Sequence, residues 1–486
     1  MRTEQDSSTA LGNTEPRSPR PWRDNIEVLT MSIVLALLLK AFIVEAYKIP
    51  TGSMQPTLMG LSAGPGVPNG LRVSDRILVD KFTPHLADPR RFEVAVFKYP
   101  LDRSKNFVKR ICGMPGELFR IQNGDLWRRD NDSQPWEIIR RPDGVMRDIW
   151  KNLDLLDTTS RAWTTTSGGD GWQVEPREIV ASGDGRARYG VQDAPILDRY
   201  YHGYPDSLRK QLNQLHPRET NQRVGDLRLT GKLEATAGCE EVVLELSEGT
   251  ATYRFVLPGP AGVGSARVLI ESTEADRQPR EVSAGDVRLP ANKSLRFRVH
   301  NLDDQLRFEL DGDILAEVDV DPQAYPDSRI HVEQRGEGAR FSDLRVQRDI
   351  HYTTGSKNAE YAIPEGHYLM LGDNTQDSSD SREWTYSRYA LEDGTELQGN
   401  FRQTQNPFRD GPVTWLEDEW GERHALSVEG TPRLGSRPEG LEPLTARALT
   451  PESAPYVPRE LITGRAIAVF WPVNPFKQLI RFKWIR

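Results

Sequence analysis

The sequence predicts a mainly β protein with one N-terminal transmembrane helix, a β core split between the two ends of the chain, and an inserted, jelly-roll-like β-sandwich. Three observations lead to this prediction. An apolar run from Val28 to Tyr47 has the roughly twenty residues that a bilayer-spanning helix needs. Short segments rich in Val, Ile and Phe follow this run and return near the C-terminus. Between them, apolar and polar residues alternate over 226–349.

Length and composition narrow the class of protein. The 486 residues leave room for two or three domains, and the net charge of -8 argues against a nucleic-acid-binding surface. Two cysteines, Cys112 and Cys239, make neither a disulfide framework nor a zinc site, so we expect two free thiols in different domains. The eight histidines show no metal-ligand spacing, and we expect neither a metal nor another cofactor.

The apolar run is interpreted as a membrane anchor. Lys40 and Glu45 lie in its second half, where long side chains can reach the interface. A buried core helix is one alternative; a cleavable signal peptide is another, but no small-x-small cleavage site follows the run. Arg17, Arg20 and Arg23 precede it, so the positive-inside rule places the N-terminus in the cytoplasm and the rest of the chain across the membrane.

The alternating region predicts a β-sandwich. Leu227, Leu229 and Leu233 fall on one face of a strand, and Asp311-Gly312 is a hairpin turn signal. The segment N-L-D-D-Q-L-R-F-E-L-D-G-D at 301–313 resembles concanavalin-type jelly rolls, which often bind carbohydrate. Because fold does not imply function, a spacer or a protein-docking role is an equal alternative.

Three further blocks carry candidate chemistry. They read P-T-G-S-M-Q-P-T-L at 50–58, F-V-K-R-I-C-G-M-P-G at 107–116 and G-D-N-T-Q-D-S-S-D-S-R at 372–382. The first block offers Ser53, whose hydroxyl is a poor nucleophile until a neighbouring base removes its proton. A serine in a Gly- and Pro-flanked turn is more often structural, so Ser53 alone decides nothing.

Lys109 in the second block can supply that base. A lysine amine accepts a proton only when neutral, and its ordinary pKa is about 10.4. Phe107, Lys109 and Ile111 alternate onto one face of a predicted strand, where burial among apolar neighbours can lower a lysine pKa by several units. The alternative is an edge-strand lysine that prevents aggregation.

In order and content, the three blocks closely resemble the conserved boxes of bacterial type I signal peptidases (leader peptidases). The resemblance implies a membrane-anchored serine endopeptidase that removes N-terminal signal peptides from exported preproteins. It makes Ser53 the nucleophile and Lys109 the general base. The competing hypothesis is a catalytically idle, membrane-tethered protein whose sandwich binds carbohydrate or a partner.

The resemblance also implies supporting roles. The oxyanion hole would consist of the Ser53 N–H group and the Thr51 hydroxyl, where the family usually has serine. Ser378 would orient the lysine, and Asp380 and Arg382 would form a structural ion pair beside the site. In an exposed position that pair would contribute little.

Two other positions depart from the family pattern. Glu117 replaces aspartate in a Pro-Gly-Asp turn, and Thr375 stands where arginine is common.

Substrate recognition is likewise implied by the resemblance. The cleaved segment would lie extended beside two strands, with small residues at the first and third positions before the cut. Shallow pockets would hold them, lined by Tyr47, Ile49, Pro50 and Val108. The partners would be preprotein signal peptides and the lipid bilayer, at the outer (periplasmic) face of the cytoplasmic membrane. The basic, aromatic segment 471–486 suits lipid headgroups or a packed terminal strand equally.

These interpretations divide the chain into eight segments, with the catalytic core in three pieces. They are a disordered cytoplasmic tail (1–24), the transmembrane helix (25–47), the first core piece (48–127), an unassigned insert (128–224), the β-sandwich (225–349), the second core piece (350–388), an irregular insert (389–456) and the last core piece with the basic-aromatic C-terminus (457–486).

Overall fold

The computed structural model describes most of the chain. The described residues are 21–60, 74–153, 163–168, 171–190, 196–200, 218–325, 327–354, 359–375, 378–402, 414–429, 442–474 and 479–485. Their secondary structure is mainly β, which confirms the predicted fold class at that level. The helices are α1 (Pro21–Phe42), α2 (Thr83–Leu86), α3 (Asp143–Ile149) and a 3-10 helix at Arg459–Leu461.

The strands fall into three groups along the chain. The first group is β1 (Val44–Lys48), β2 (Arg76–Asp80), β3 (Val94–Tyr99), β4 (Asp102–Gly113), β5 (Leu118–Gln122), β6 (Asp125–Arg129) and β7 (Glu137–Ile138). The second group is β8 (Lys151–Asn152), β9 (Trp163–Ser167), β10 (Trp172–Glu175), β11 (Glu178–Ala181), β12 (Gly185–Tyr189), β13 (Leu197–Tyr200), β14 (Arg218–Arg223), β15 (Leu227–Ala235), β16 (Cys239–Glu248), β17 (Ala251–Pro258), β18 (Arg267–Ser272), β19 (Arg280–Ser283), β20 (Leu295–Leu302), β21 (Gln305–Leu310), β22 (Asp313–Asp319), β23 (Ser328–Gly336) and β24 (Ala339–Arg348). The third group is β25 (Glu360–Ala362), β26 (His367–Leu371), β27 (Thr385–Leu391), β28 (Glu396–Arg402), β29 (Thr414–Glu417), β30 (Arg423–Val428), β31 (Leu444–Ala448), β32 (Glu452–Ser453), β33 (Tyr456–Pro458), β34 (Ile462–Trp471), β35 (Val473–Asn474), β36 (Leu479–Ile480) and β37 (Lys483–Trp484).

The central sheet joins strands from both ends of the chain. Its order is β1-β2-β34-β3-β4-β26-β33, with β37 paired to β34, and its neighbouring strands are antiparallel. The side chains of β3 alternate between its two faces, as a strand requires. Val94 and Val96 join one buried apolar cluster, whereas Ala95 and Phe97 join another. The sheet is therefore covered on both faces and places β4 between β3 and β26.

The region that follows the first group forms a β-sandwich. One sheet has the order β10-β11-β24-β15-β20-β21-β22, and the other has the order β19-β18-β17-β16-β23-β12-β9. Their inner faces enclose a large apolar cluster that contains Leu227, Leu229 and Leu233, in line with the alternation in the sequence. Phe255 from one sheet meets Phe308 from the other, with ring centroids 5.4 Å apart.

Strands also occur in two segments for which the sequence predicted no regular structure. Within 128–224, β9 and β12 extend one sheet of the sandwich, and β10 and β11 extend the other. Within 389–456, β28 to β32 form a small sheet with β27, including a β29–β30 hairpin. Many of these strands have five or fewer residues, which is too short for a clear periodic pattern.

The predicted transmembrane helix at 25–47 requires correction. The helix α1 ends at Phe42, and the chain continues into β1, whose Val44 to Lys48 pair with β2. Because residues 44–47 continue the apolar run, their sequence does not distinguish this strand from the end of the helix. Over the part of the chain that the structure describes, no helix has both the length and the apolar character needed to cross a membrane.

The two cysteines are free and buried in separate places. Cys112 lies in β4 and packs under the sheet β25-β5-β6-β7, and Cys239 begins β16 in the sandwich. Burial raises the pKa of both thiols to about 11, so neither is a reactive thiolate at neutral pH.

Candidate functional site

The three sequence blocks meet where β4 lies beside the end of β26. The turn after β1 carries the first block, β4 carries the second, and the loop after β26 carries the third. Backbone pairing places Leu371 opposite Arg110. The third block holds the first directly, because the Asn374 backbone N–H donates to the Ser53 carbonyl at 3.0 Å and its side-chain amide donates to the Gly52 carbonyl at 3.0 Å.

Ser53 lies in the turn that follows β1. Its side chain is half-buried, whereas Thr51 is exposed. The two hydroxyl oxygens are 3.5 Å apart, which is the outer limit of a hydrogen bond. Both hydroxyls are therefore near enough to act on the same bound group.

Lys109 is buried within the sheet, at 3% exposure. It lies opposite Ala95 of β3, and its Nζ donates to Ser378 Oγ at 3.0 Å. Burying an ammonium group is costly unless the group is paired or loses its charge. The strand alternation in the sequence had predicted this burial.

Gly372 lies between the serines of the first and third blocks. A Cβ atom added there would lie 2.6 Å from the Ser53 carbonyl oxygen and would also collide with the Ser378 side chain. Because glycine has no side chain, the Ser378 side chain and the Ser53 turn can both lie against the backbone of Gly372.

Asp380 and Arg382 form a buried ion pair. Arg382 donates to the Asp380 carboxylate at 2.8 and 2.7 Å, and both side chains are at most 2% exposed. Asp380 also accepts the Gly372 N–H at 2.9 Å, and Arg382 donates to the Thr353 carbonyl at 2.9 Å. Burial alone would raise the pKa of Asp380, but Arg382 and the charge of Lys109 hold this pKa below its ordinary value. The exposed-pair alternative does not describe this geometry.

The lowered pKa of Asp380 predicts a specific acid sensitivity. The carboxylate stabilises the folded state fully above its unfolded pKa of 3.8, and this contribution disappears as the pH falls through the lower, folded pKa. Asp380→Asn removes the contribution at every pH. In urea titrations, the parent should exceed the variant in free energy of unfolding at neutral pH, and the gap should close below pH 3.8. A gap that stays constant at low pH would contradict this prediction.

A second buried ion pair was missed by the sequence reasoning. Arg110 is fully buried and donates to both oxygens of Asp373, at 2.8 and 2.7 Å. It also donates to the Phe92 carbonyl at 2.7 Å, and the Thr57 hydroxyl donates to the Asp373 carboxylate. This network links all three blocks through Thr57, Arg110 and Asp373. An arginine inside a strand with apolar neighbours was the available signal, since buried charges require partners.

Glu117 has a related structural role. Arg91 donates to its carboxylate at 2.8 and 2.5 Å, and the Met114 backbone N–H donates to it at 2.8 Å. Gly116, with a φ of +78°, allows the turn between them. The substitution of glutamate for the family's aspartate thus retains a carboxylate that closes the turn.

Three of the four proposed pocket-lining residues belong to one apolar cluster. Tyr47, Ile49 and Val108 contact the same apolar cluster, in which Ile49 is buried and the other two are partly buried. Pro50 is exposed beside them. Among the described residues, the two groups of possible metal ligands, Asp418-Glu422-His424 and Asp125-Asp226-Asp303, contain no member of the three blocks.

Similarity to known proteins was found in both sequence and structure. Among solved structures, a carbohydrate-binding module (CBM66) of Bacillus subtilis is 11% identical, with a TM-score of 0.26, and the match covers 39% of this chain and 97% of that one. A β-glucanase of Bacillus licheniformis is 8% identical, with a TM-score of 0.27, over 41% of this chain and 98% of that one. Scores this low do not establish a shared fold.

Curated relatives are more similar in sequence. Signal peptidase I of Leptolyngbya laminosa is 33% identical over 119 residues, which are 23% of this chain and 52% of the relative. Probable signal peptidase I-1 of Synechocystis sp. is 33% identical over 134 residues, covering 26% of this chain and 62% of the relative. Signal peptidase I of Pseudomonas aeruginosa is 37% identical over 100 residues, covering 18% and 31%. The chain thus spans less than two thirds of the length of each of these relatives.

A family model covers more of the chain. The model described as "Signal peptidase, peptidase S26" matches residues 22–188 and 315–394, which together make just over half of the sequence. Residues Ser53 and Lys109 lie in the first matched segment, and Ser378, Asp380 and Arg382 lie in the second. The chain therefore belongs to the signal peptidase family, peptidase S26.

Proposed function

We infer that this protein is a serine endopeptidase that removes signal peptides from exported preproteins, with Ser53 as nucleophile and Lys109 as general base. The observation that carries this inference is the position of Lys109. Its amine is buried and donates a hydrogen bond to Ser378. The loop that carries Ser378 also holds the turn that carries Ser53. A buried amine without a full charge is the form of lysine that can accept a proton.

The proposed reaction proceeds through an acyl-enzyme. Neutral Lys109 takes the proton from Ser53 as its Oγ attacks the scissile carbonyl carbon. The resulting oxyanion receives hydrogen bonds from the Ser53 N–H and the Thr51 hydroxyl. The Lys109 ammonium then protonates the leaving amine as the peptide bond breaks. Lys109 next takes a proton from water as the water oxygen attacks the ester carbonyl carbon, and it returns this proton to Ser53 Oγ as the ester C–O bond breaks. The signal peptide leaves with a new C-terminal carboxyl group, which ionises in water.

Ser378 and Asp380 act as positioning residues in this proposal. Ser378 accepts the hydrogen bond from Lys109 without adding a charge, which fixes the direction of the amine. Asp380 lies close enough for the Lys109 charge to affect its pKa, so it also favours the ammonium that forms during the reaction. Arg382 neutralises part of the Asp380 charge and thereby limits this effect in the resting state.

Gly372→Ala tests how closely these residues must fit. The new methyl group would press on Ser378 and on the Ser53 carbonyl, so we expect kcat to fall about 100-fold because small misplacements of catalytic groups are costly. Gly366→Ala is the matched control at the other end of β26. It has a φ of +70° and no atom within 4 Å of an added Cβ, so it should lower stability without lowering kcat. Full activity of Gly372→Ala would show that Ser378 does not position the base.

The substrate would bind as an extended segment. Tyr47, Ile49 and Val108 offer a partly buried apolar surface beside β1 and β4, which suits small side chains before the cut. Replacing the small residues of a precursor by leucine should therefore raise KM or abolish cleavage. If cleavage were unchanged, Tyr47, Ile49 and Val108 would not line the substrate pocket.

Membrane association is also part of the proposal. Along α1 large apolar side chains are exposed, including Leu29, Met31 and Leu37, each with at least 60% exposure. Near the C-terminus Phe482 and Trp484 are exposed although Trp484 pairs with Ala468 in the central sheet. Exposed apolar surface of this kind marks a contact site. Co-sedimentation of the full chain with anionic vesicles tests the proposal, and Leu37→Glu should weaken vesicle binding. Equal binding by the variant would show that α1 is not the membrane contact.

The central test is cleavage of a precursor that carries Ala-x-Ala before its junction, in detergent micelles. The parent should cut at the junction, and Ser53→Ala should not. Thr51→Val should lower kcat about 100-fold, and Thr51→Ser should retain activity because the donor remains. Equal cutting by Ser53→Ala would assign the activity to another site. If the folded parent cuts no precursor, the tethered binding protein becomes the better account.

A further inference from the structure

A groove of about 600 Å³ lies on the outer face of one sheet of the sandwich. Strands β24, β15 and β20 contribute side chains to it, and the residues that alternate with these side chains, such as Leu229, Val299 and Val346, are buried in the sandwich core. Five of the described residues that line the groove are basic: Arg228, Lys232, Arg296, Arg298 and Arg345. Two are acidic, Glu309 and Asp343, which gives the groove a net charge of +3 in a chain whose net charge is -8. Positive charge is therefore concentrated in the groove.

Strand pairing places several of these basic side chains next to one another. Lys232 of β15 lies directly opposite Arg296 of β20. Thr230 of β15 has Arg345 of β24 on one side and Arg298 of β20 on the other. Like charges on directly opposed residues destabilise a sheet. A bound group with negative charge would reduce this repulsion.

The acidic side chains of the groove already have partners. Glu309 accepts a hydrogen bond from Arg298 at 2.6 Å, and Asp343 pairs with Lys232 at 2.6 Å. These two pairs use both carboxylates of the lining. The other three basic side chains must therefore find their partners elsewhere.

Those three basic side chains have weaker partners or none. Arg228 donates to the neutral side chain of Gln347 at 2.8 Å. Arg296 is 76% exposed and lies 3.7 Å from Asp311, which is beyond hydrogen-bonding distance. Within the described part of the chain, no ion pair involves Arg345. Three guanidinium groups are thus available to a ligand.

The other features of the groove restrict the class of ligand. Because β15 pairs with β24 on one side and with β20 on the other, a peptide could not add to it as a further strand. None of the described lining residues is an exposed apolar one, since the aromatic residue Phe297 is 3% exposed. Trp150 is 9% exposed, and the Arg228 guanidinium lies over its ring at 4.2 Å. A neutral sugar ring, an apolar peptide side chain or a lipid acyl chain would therefore find no apolar surface to contact.

The polar groups of the groove suit a ligand with both carboxylate and hydroxyl groups. A guanidinium group binds a carboxylate through two parallel N–H donors. The Thr230 hydroxyl, the Gln347 amide and the carboxylates of the lining can exchange hydrogen bonds with hydroxyl groups. We propose that the groove binds an acidic oligosaccharide, a chain of sugars that carry carboxylate groups. The groove contains no member of the three blocks, so this site is separate from the proposed active site.

Calorimetric titration of the full chain in detergent micelles tests the proposal. The probe is oligogalacturonate at about pH 7.5, where its carboxylates are ionised. The uncharged control ligand is the same oligomer with its carboxylates methyl-esterified. The parent should bind the acidic oligomer at least about tenfold more tightly than the ester, and added NaCl should weaken this binding because salt screens exposed charges. Equal binding of the two oligomers, or no binding of the acidic one, would overturn the proposal.

The double variant Arg296→Gln/Arg345→Gln locates the site. Both side chains are exposed, so the Tm should stay close to that of the parent. Oligogalacturonate binding should weaken by at least about tenfold, because hydrogen bonds between charged groups are among the stronger ones. Arg329→Gln/Arg335→Gln is the matched control, since it removes two exposed arginines from β23 in the opposite sheet and should bind like the parent. Equal weakening in both double variants would mean that overall charge, and not the groove, attracts the oligomer.

Two other polyanions test the class of ligand. Poly-glutamate with the same number of carboxylates should bind less tightly than oligogalacturonate, because it offers no hydroxyl groups. Tighter binding of poly-glutamate would overturn the proposal in favour of an acidic peptide. Anionic vesicles should bind the parent and Arg296→Gln/Arg345→Gln equally, and loss of vesicle binding in this variant would make the groove a lipid contact instead.

Discussion

Lys109→Met is expected to reduce kcat/KM for precursor cleavage by at least about 10³-fold, because the proposed general base disappears. Methionine fills a similar volume and is apolar, so the buried position in β4 should tolerate it. Secondary structure and Tm should therefore remain near the parent values. Initial rates with the Ala-x-Ala precursor, measured beside thermal unfolding, separate loss of chemistry from loss of fold.

Lys109→Arg sharpens this prediction. Arginine retains the positive charge and the hydrogen-bond donors but cannot be deprotonated in a protein. If Lys109 acts as a base, this variant should be as inactive as Lys109→Met. If the role is only to hold a charge beside Ser378, it should retain part of the activity.

Two controls complete the comparison. Lys98→Met, on the neighbouring strand β3, should leave cleavage unchanged. The double variant Ser53→Ala/Lys109→Met should be no less active than either single variant, because residues that act as one unit are not additive. A double variant that is far weaker than both singles would mean that Ser53 and Lys109 act independently.

Only those features of the site that leave a pattern within one segment of the sequence could be predicted. Alternation in β4 predicted the burial of Lys109, and the family resemblance named Ser378, which the fold brings to its amine from 269 positions away. Whether these residues perform the proposed chemistry remains a prediction. The Arg110–Asp373 pair could not be predicted from one segment, because its members lie 263 positions apart and the apolar neighbours of Arg110 indicate only that it needs a partner.

The same distinction applies to the fold. The nine-residue strand β15 was predicted because one of its faces packs in the sandwich and leaves an alternation of apolar and polar residues. The short strands β9 to β12 carry too few residues to show it. At 44–48 the apolar composition favoured continued helix, but pairing with β2, some thirty positions later, makes this segment a strand. Pairing between distant segments therefore determines the secondary structure where the composition is compatible with either helix or strand.

The largest expected loss of stability comes from Asp373→Asn. The substitution keeps the shape of the side chain but leaves the fully buried Arg110 guanidinium without its carboxylate partner. Breaking one member of a buried ion pair costs about 3–5 kcal/mol in free energy of unfolding. Because Arg110 and Thr57 link the three blocks through Asp373, cleavage activity should fall together with stability. Urea unfolding at neutral pH measures the first effect.

Asp343→Asn is the matched control for this prediction. Asp343 also pairs with a basic residue, Lys232 at 2.6 Å, but both side chains are about half exposed or more, at 62% and 48%. Exposed pairs contribute little to stability because solvent screens them, so this variant should unfold close to the parent. The double variant Arg110→Met/Asp373→Leu should recover much of the stability, since it removes both buried charges. If Asp373→Asn cost no more than Asp343→Asn, the Arg110–Asp373 pair would not hold the blocks together.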